Sequence, residues 1–91
     1  MDRVIIDLET TGVDSRRDKI IEIGAVRIDD LGNRREFHTL VDPGLPLNHV
    51  ITDLTGITDE MLAGQPRIED VASELYKFTE GTVPIAHNAG F

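Results

Sequence analysis

Hydrophobic positions in the first half of the chain follow the patterns of β-strands. Residues 4–9 and 20–28 are apolar on both faces, which is typical of strands buried inside a sheet. Residues 35–41 predict a third strand with Phe37, Thr39 and Val41 on one face, and residues 29–33 resemble a hairpin connection. The pattern therefore predicts an antiparallel meander of three strands, in which residues 4–9 hold a central place.

Two short helical turns are predicted next. Residues 42–46 contain two prolines and a glycine and predict a loop, and residues 47–54 predict a first helical turn. Thr58 is predicted to cap a second turn, because a threonine hydroxyl can accept a hydrogen bond from a free backbone N–H. Asp59 and Glu60 follow it in the first turn, where negative charge favours the helix dipole.

A long helix and a short strand complete the predicted elements. The helix is expected to begin at Pro66 and to end at Gly81. Its apolar stripe consists of Ile68, Val71, Leu75 and Phe78. Residues 83–86 then predict a buried strand. Because a strand that follows a crossover helix runs parallel to an earlier one, we expect it to lie beside residues 4–9 in a mixed α/β sheet.

Two carboxylates end the first strand one residue apart. Asp7 and Glu9 are predicted to share one face of the sheet, about 6 to 7 Å apart along the chain. Two anions this close repel each other, and a divalent cation such as Mg²⁺ or Mn²⁺ between them would relieve the repulsion. A strand end that is simply solvated explains the same pattern, so spacing alone leaves both interpretations open.

A threonine-rich turn follows the carboxylates. Thr10, Thr11 and Gly12 predict a tight turn in which the glycine can adopt positive φ and threonine hydroxyls or backbone N–H groups face outward. Such donors beside a cation suit a phosphate or a sugar. The parallel strand would bring His87 and Asn88 to the same end of the sheet.

Three further features receive structural interpretations. We expect Glu22, inside the second strand, to be satisfied by a nearby arginine, lysine or backbone donor rather than to be catalytic. His38 is predicted to lie at the rim of the sheet without a chemical role. Residues 55–57 bridge the two helical turns and form a surface loop that could line a cleft.

Composition limits the remaining possibilities. The 91 residues are 40% hydrophobic and predict one soluble domain, with no second domain. The net charge of −8 is the wrong sign for a protein that holds nucleic acid by a broad basic surface. No apolar run has the length of about 18 residues that a membrane span needs, so no membrane partner and a cytosolic location are expected. The chain has no cysteine, which excludes disulfides and thiolate zinc sites.

The motifs IDLETTG, IIEIGAVRI, LTGIT and AHNAGF, in this order, resemble the DEDD group of 3′→5′ exonucleases. The resemblance is to the DnaQ-like (DEDDh) branch, which includes the proofreading epsilon subunit of DNA polymerase III and exonuclease regions attached to helicases. It implies a ribonuclease-H-like mixed sheet. It also implies phosphodiester hydrolysis by two metal ions about 3.5 to 4 Å apart, with a histidine as general base.

The resemblance also implies roles for particular residues. Asp7 and Glu9 would be catalytic and would be the first two of four acidic ligands for two Mg²⁺ or Mn²⁺ ions. Thr10, Thr11 and Gly12 would contact the 3′-terminal nucleotide of single-stranded DNA. The other substrate-binding residues implied are Leu54, Thr55, Gly56, Ile57, Thr58, His87, Asn88 and Phe91.

The third and fourth acidic ligands and the catalytic histidine have no counterpart in this sequence. We therefore expect residues 1–91 to be the N-terminal part of a single exonuclease domain and to be catalytically incomplete alone. As a fragment they should self-associate or need the remaining chain. Two alternatives stay open: a non-catalytic docking or nucleic-acid-binding module of a polymerase or helicase, and an exoribonuclease that acts on short RNA.

Overall fold

A computed structural model describes residues 1–12 and 18–86 of the chain. Its elements are β1 (Asp2–Thr10), β2 (Ile20–Ile28), β3 (Arg34–Leu40), α1 (His49–Thr55), α2 (Asp59–Leu62), α3 (Ile68–Thr79) and β4 (Thr82–Ala86). None of these helices combines the length and the apolar content that a membrane span requires.

The four strands form one mixed sheet in the order β3-β2-β1-β4. β1 pairs antiparallel with β2, β2 pairs antiparallel with β3, and β1 pairs parallel with β4. The predicted meander, the central position of the first strand and the parallel last strand are therefore confirmed. β3 lies one residue earlier than predicted, although the N–H of Val41 still donates to the carbonyl of Ile21 at 2.9 Å.

One face of the sheet carries the hydrophobic core. Val4, Ile21 and Ile23 are fully buried there, because their side chains alternate away from solvent along β1 and β2. Val71 of α3 packs against Ile23, and Ile57 packs against Ile21. The helices thus cover this face, and we call it the covered face.

The opposite face is exposed, and we call it the open face. It carries Ile5 of β1 and Val83 and Ile85 of β4, which are 43%, 47% and 49% exposed. The prediction that β1 is buried on both faces is therefore wrong. The prediction failed because an apolar run in the sequence does not show whether a strand face is covered by the helices of the same chain or by a partner. β2 likewise buries alternate residues rather than all of them.

The helix boundaries follow their caps. α1 begins two residues later than predicted, because the side chain of Asn48 caps it by accepting from the N–H of Val50 at 2.9 Å. Thr58 caps α2 as predicted, accepting from the N–H of Met61 at 3.2 Å. Pro66 does not open α3, because Arg67 is the N-cap residue and Ile68 the first helical one.

Candidate active site

Asp7 and Glu9 lie on the open face near the carboxyl end of β1, as the alternation predicts. Asp7 is exposed and Glu9 is partly buried. Asp7 of β1 pairs with Gly24 of β2, which has no side chain. Glu9 pairs with Glu22 of the same strand, β2. Within β2, no side chain therefore stands opposite Asp7, whereas a third carboxylate, that of Glu22, stands opposite Glu9. Among residues 1–12 and 18–86, no three acidic, histidine or cysteine side chains are grouped closely enough to hold a metal ion.

A β-bulge follows the carboxylates. Glu9 pairs with Glu22 but Thr10 pairs with Ile20, so β2 contains one extra residue, Ile21, at this point. A bulge bends the strand and increases its twist, and it commonly lies where side chains of a site need a new direction. Here it separates the metal-ligand candidates from the threonine-rich turn.

Glu22 and His38 form a pair on the open face. The Glu22 carboxylate oxygen Oε2 lies 2.6 Å from the His38 ring nitrogen Nε2, with the side chains 30% and 63% exposed. The predicted arginine, lysine or backbone partner of Glu22 is therefore wrong. The register explains the pair: Glu22 lies opposite Leu40 and Gly24 lies opposite His38, so the two side chains are diagonal neighbours. The register of the β2–β3 hairpin, rather than composition, is the signal that could have identified His38 as the partner of Glu22.

The turn after β1 is held by local hydrogen bonds. The Thr10 hydroxyl donates to the carbonyl of Gly12, and the Thr11 hydroxyl donates to the Asp18 carboxylate at 3.0 Å. The Thr11 N–H donates to the carbonyl of Lys19 at 2.9 Å. The expected outward-facing donors are thus used within the chain, and Gly12 does not adopt positive φ.

The bridge between α1 and α2 lies near the same end of the sheet. Ile57 is buried against Ile21, the strand neighbour of Glu22, so it anchors the bridge and cannot present its side chain to solvent. Leu54, in the last turn of α1 just before the bridge, is 78% exposed.

Internal hydrogen bonds fix the polar residues of the bridge. The Thr55 hydroxyl donates to the Ile51 carbonyl at 2.8 Å, and Gly56 adopts φ of 75° as the residue that ends α1. Thr58 is occupied by its capping role. His87, Asn88 and Phe91 lie outside the described residues, which extend along β4 to Ala86, the register partner of Ile6.

Comparison with known proteins identifies the family. Residues 4–91 match the family model RNase_T, described as "Exonuclease". The chain belongs to this exonuclease family. It is 47% identical over 88 residues to the PolC-type DNA polymerase III of Clostridium perfringens, covering 97% of this chain and 6% of that protein. It is 42% identical over 85 residues to the epsilon subunit of DNA polymerase III from Treponema pallidum, covering 93% of this chain and 40% of that subunit.

Solved exonuclease structures share the fold. Exonuclease X in complex with 5′ overhanging duplex DNA superposes with a TM-score of 0.79 at 34% identity, over 98% of this chain and 50% of that one. Exonuclease I superposes with a TM-score of 0.81 at 18% identity, over 96% of this chain and 20% of that one. The ribonuclease-H-like fold and the exonuclease resemblance are thereby confirmed. The chain spans half or less of the length of each of these proteins.

Proposed function

We propose that this chain supplies the first two acidic ligands of a divalent-metal-dependent 3′→5′ exonuclease that acts on DNA ends in proofreading or repair. The observation that supports this most directly is the placement of Asp7 and Glu9 on one exposed face near the carboxyl end of β1, in a chain of the exonuclease family. Exonucleases of this family generally use divalent metal ions. We further propose that the metal is Mg²⁺ or Mn²⁺, that two ions bind, and that the ligands have the DEDDh arrangement.

The donor set fits such ions. Carboxylate oxygens are the ligands that Mg²⁺ and Mn²⁺ prefer. The register partner of Asp7 on β2 is Gly24, which has no side chain that would compete with a bound ion. Bound cations would activate water and neutralise charge on the phosphate. We propose that Asp7 and Glu9 hold them and that the remaining ligands and the general base belong to the rest of the whole protein, in agreement with the 50% coverage of exonuclease X.

The chain's own residues would bind and orient the DNA end. The net charge of −8 opposes a polyanion, so a cation between Asp7, Glu9 and the phosphate supplies attraction that the protein surface lacks. Leu54 would offer an apolar surface to the terminal base, whereas Ile57 would act only by holding the bridge in place. The turn of Thr10, Thr11 and Gly12 would border the terminal sugar and phosphate. His87, Asn88 and Phe91 keep their proposed substrate contacts.

The decisive experiment compares Asp7→Ala with the unaltered full-length protein. A 5′-labelled single-stranded DNA is incubated with Mn²⁺, and a ladder that shortens from the 3′ end is expected from the unaltered protein. Asp7→Ala should reduce the rate by about 100-fold or more, because it removes a preorganised electrostatic contact. Glu74→Ala, at an exposed position on α3, is the matched control and should retain the rate. Equal rates for Asp7→Ala and the unaltered protein would refute the role of Asp7.

The same assay separates the alternative functions. A matched RNA strand that is degraded faster than DNA would favour the exoribonuclease. Absence of release by the unaltered protein, together with DNA or polymerase binding, would favour the docking module. The identity of 47% to a PolC-type polymerase supports the proposal that the exonuclease belongs to, or assembles with, a replicative DNA polymerase.

A further inference from the structure

We infer that Asp18 is a positioning residue that holds the turn of Thr10, Thr11 and Gly12 in the conformation that receives the 3′-terminal nucleotide. The inference rests on the proposed function, because it assigns a task to that turn. It gives a role to Asp18, which lies outside the motifs that predicted the site. It also changes the role of Thr11 from a substrate ligand to a residue that links the turn to Asp18.

The hydroxyl of Thr11 forms two hydrogen bonds within the protein. It donates to Asp18 Oδ1 at 3.0 Å and accepts from the N–H of Lys19 at 2.9 Å. The N–H of Thr11 donates to the carbonyl of Lys19 at 2.9 Å. A hydroxyl has one proton to donate, so Thr11 cannot donate to a phosphate while it is bonded to Asp18. These three hydrogen bonds fasten the turn to the residues that lead into β2.

Gly12 supplies independent evidence for close packing. A Cβ atom placed on Gly12 would lie 2.5 Å from Asp18 Oδ2, 2.7 Å from its Cγ and 2.8 Å from its Oδ1. All three distances are shorter than real Cβ contacts, and all involve the same carboxylate. Since Gly12 does not lie in the left-handed region, a larger residue here would be opposed by the Asp18 carboxylate, which would have to move away from the turn to admit it, rather than by backbone strain. The carboxylate of Asp18 therefore rests directly against the backbone of the turn.

The position of the turn gives this packing a functional consequence. Thr10 ends β1 one residue after Glu9, and its hydroxyl bonds to the carbonyl of Gly12. Moving Gly12 would therefore shift Thr10 relative to the metal-ligand candidates. A displaced turn would hold the DNA end less tightly in the ground state and in the transition state alike, so the loss should appear in KM. Asp18 thus fixes where the turn meets the DNA end without touching it.

The test is a double-mutant cycle in the full-length protein, measuring kcat and KM on single-stranded DNA. We expect Asp18→Ala and Thr11→Val each to raise KM by about tenfold, because uniform substrate binding is lost and the carboxylates remain. The double variant should be no worse than either single variant, because both substitutions remove the same hydrogen bond. If Thr11 instead contacts the DNA directly, the two effects will multiply, and that result would overturn the inference.

Two conservative variants guard against a merely structural effect. Thr11→Ser keeps the hydroxyl and Asp18→Asn keeps an acceptor oxygen, so both should restore KM to within about threefold of the unaltered protein. Gly12→Ala should be impaired by overlap with Asp18, and the double variant Gly12→Ala/Asp18→Ala should be no worse than Asp18→Ala alone, because the overlap is then gone. Failure of either rescue, with folding intact by thermal unfolding, would also overturn the inference.

Mn²⁺ binding by titration distinguishes this inference from the proposed function. Asp18→Ala should bind Mn²⁺ as the unaltered protein does, whereas Asp7→Ala should not. A full-strength Asp18→Ala enzyme beside an inactive Asp7→Ala enzyme would refute the positioning role alone. Equal activity and Mn²⁺ binding in Asp7→Ala would refute the proposed function, and with it the inference.

Discussion

Gly24 controls the space around the candidate metal ligand Asp7. It is the register partner of Asp7 on one side and of His38 on the other, so a side chain here would stand between the two on the open face. Among the residues that the structure describes, a Cβ atom on Gly24 would make one contact, at 3.8 Å from the backbone oxygen of Asp7. The position therefore tolerates a methyl group, and a larger side chain would extend over the open face beside Asp7 and His38.

Gly24→Val should separate stability from activity. Glycine weakens a strand interior and valine favours it, so we expect the free energy of unfolding to rise by up to about 1 kcal/mol. The rate of DNA hydrolysis should fall by at least about tenfold, because the branched side chain crowds Asp7. Gly24→Ala is the control and should leave the rate nearly unchanged. Urea denaturation and the nuclease assay measure the two effects, and an unimpaired Gly24→Val enzyme would contradict the prediction.

Single residues also show where sequence reasoning stops. Strand alternation was sufficient to place Asp7 and Glu9 on one face, because that relation is local. The pairing of Glu22 with His38 depends on the register between two strands, which composition does not specify. Gly12 illustrates a different limit: a turn motif suggested positive φ, whereas the glycine lies against the carboxylate of Asp18, a residue distant in sequence by six positions that the fold brings back.

At the level of elements, the hairpin between β2 and β3 is organised by Asp29. Its carboxylate accepts from the N–H groups of Leu31 and Asn33 at 2.9 Å and from the side-chain amide of Asn33 at 3.0 Å. The Asn33 side chain, then the Asn33 backbone, lower the pKa of Asp29 below its ordinary value. The folded hairpin therefore favours the charged form of the Asp29 carboxyl group.

Asp29 should make the hairpin sensitive to acid. Because its pKa is lower in the folded chain than in the unfolded one, its stabilisation is present above the ordinary carboxyl pKa and is lost as the pH falls through the lowered folded value. We expect Asp29→Ala to be less stable than the unaltered protein at neutral pH, and the difference in unfolding free energy to narrow as the pH falls below the ordinary carboxyl pKa. Glu36→Ala, which removes an exposed carboxylate from β3, is the control. A difference that stays constant with pH would contradict the assignment.

Arg27 connects three elements on the covered face. Its Nε donates to the Asp2 carboxylate of β1 at 2.9 Å, and its guanidinium also donates to the carbonyl of Phe78 near the end of α3 at 3.0 Å. The side chain is largely buried. The arginine thus satisfies a helix-terminal carbonyl and fixes α3 against β2.

Removal of Arg27 should loosen this connection. Hydrogen bonds that involve a charged group contribute about 1.5 to 3 kcal/mol when buried, so we expect Arg27→Ala to lower the free energy of unfolding by roughly 2 kcal/mol. Arg27→Lys should recover only part of the loss, because one ammonium group cannot reproduce the forked geometry. Arg35→Ala, at the exposed register partner on β3, should have little effect. Equal losses from Arg27→Ala and Arg35→Ala in urea denaturation would refute the connection.

The elements themselves were largely predictable from the sequence. Periodicity placed all four strands within two residues, and the threonine-acid pattern identified the cap of α2. Pro66 misled because proline is favoured at the first helical position, whereas here the Arg67 N–H is satisfied by the Asp70 carboxylate and the helix begins later. Caps depend on which side chain reaches a free backbone group, and that geometry is beyond a propensity rule.

For the molecule as a whole, the open face is the feature with the largest consequence. The described chain covers the opposite face with its helices but leaves Ile5, Val83 and Ile85 partly exposed side by side. In the same region β4 is an edge strand of the sheet, with its second side unpaired among the described strands. Exposed apolar surface beside an unpaired strand edge favours association with another polypeptide, including a second copy of this chain.

The 91 residues expressed alone should therefore self-associate. We expect sedimentation velocity to show a sedimentation coefficient that rises with protein concentration. Val83→Lys and Ile85→Lys together should suppress this, because they place charge on the open face and at the strand edge. Tyr76→Lys, which removes an exposed aromatic from α3, is the matched control and should not. A monomeric, cooperatively melting species at all concentrations would contradict the prediction, since it would require the open face to be stable in water without a covering partner.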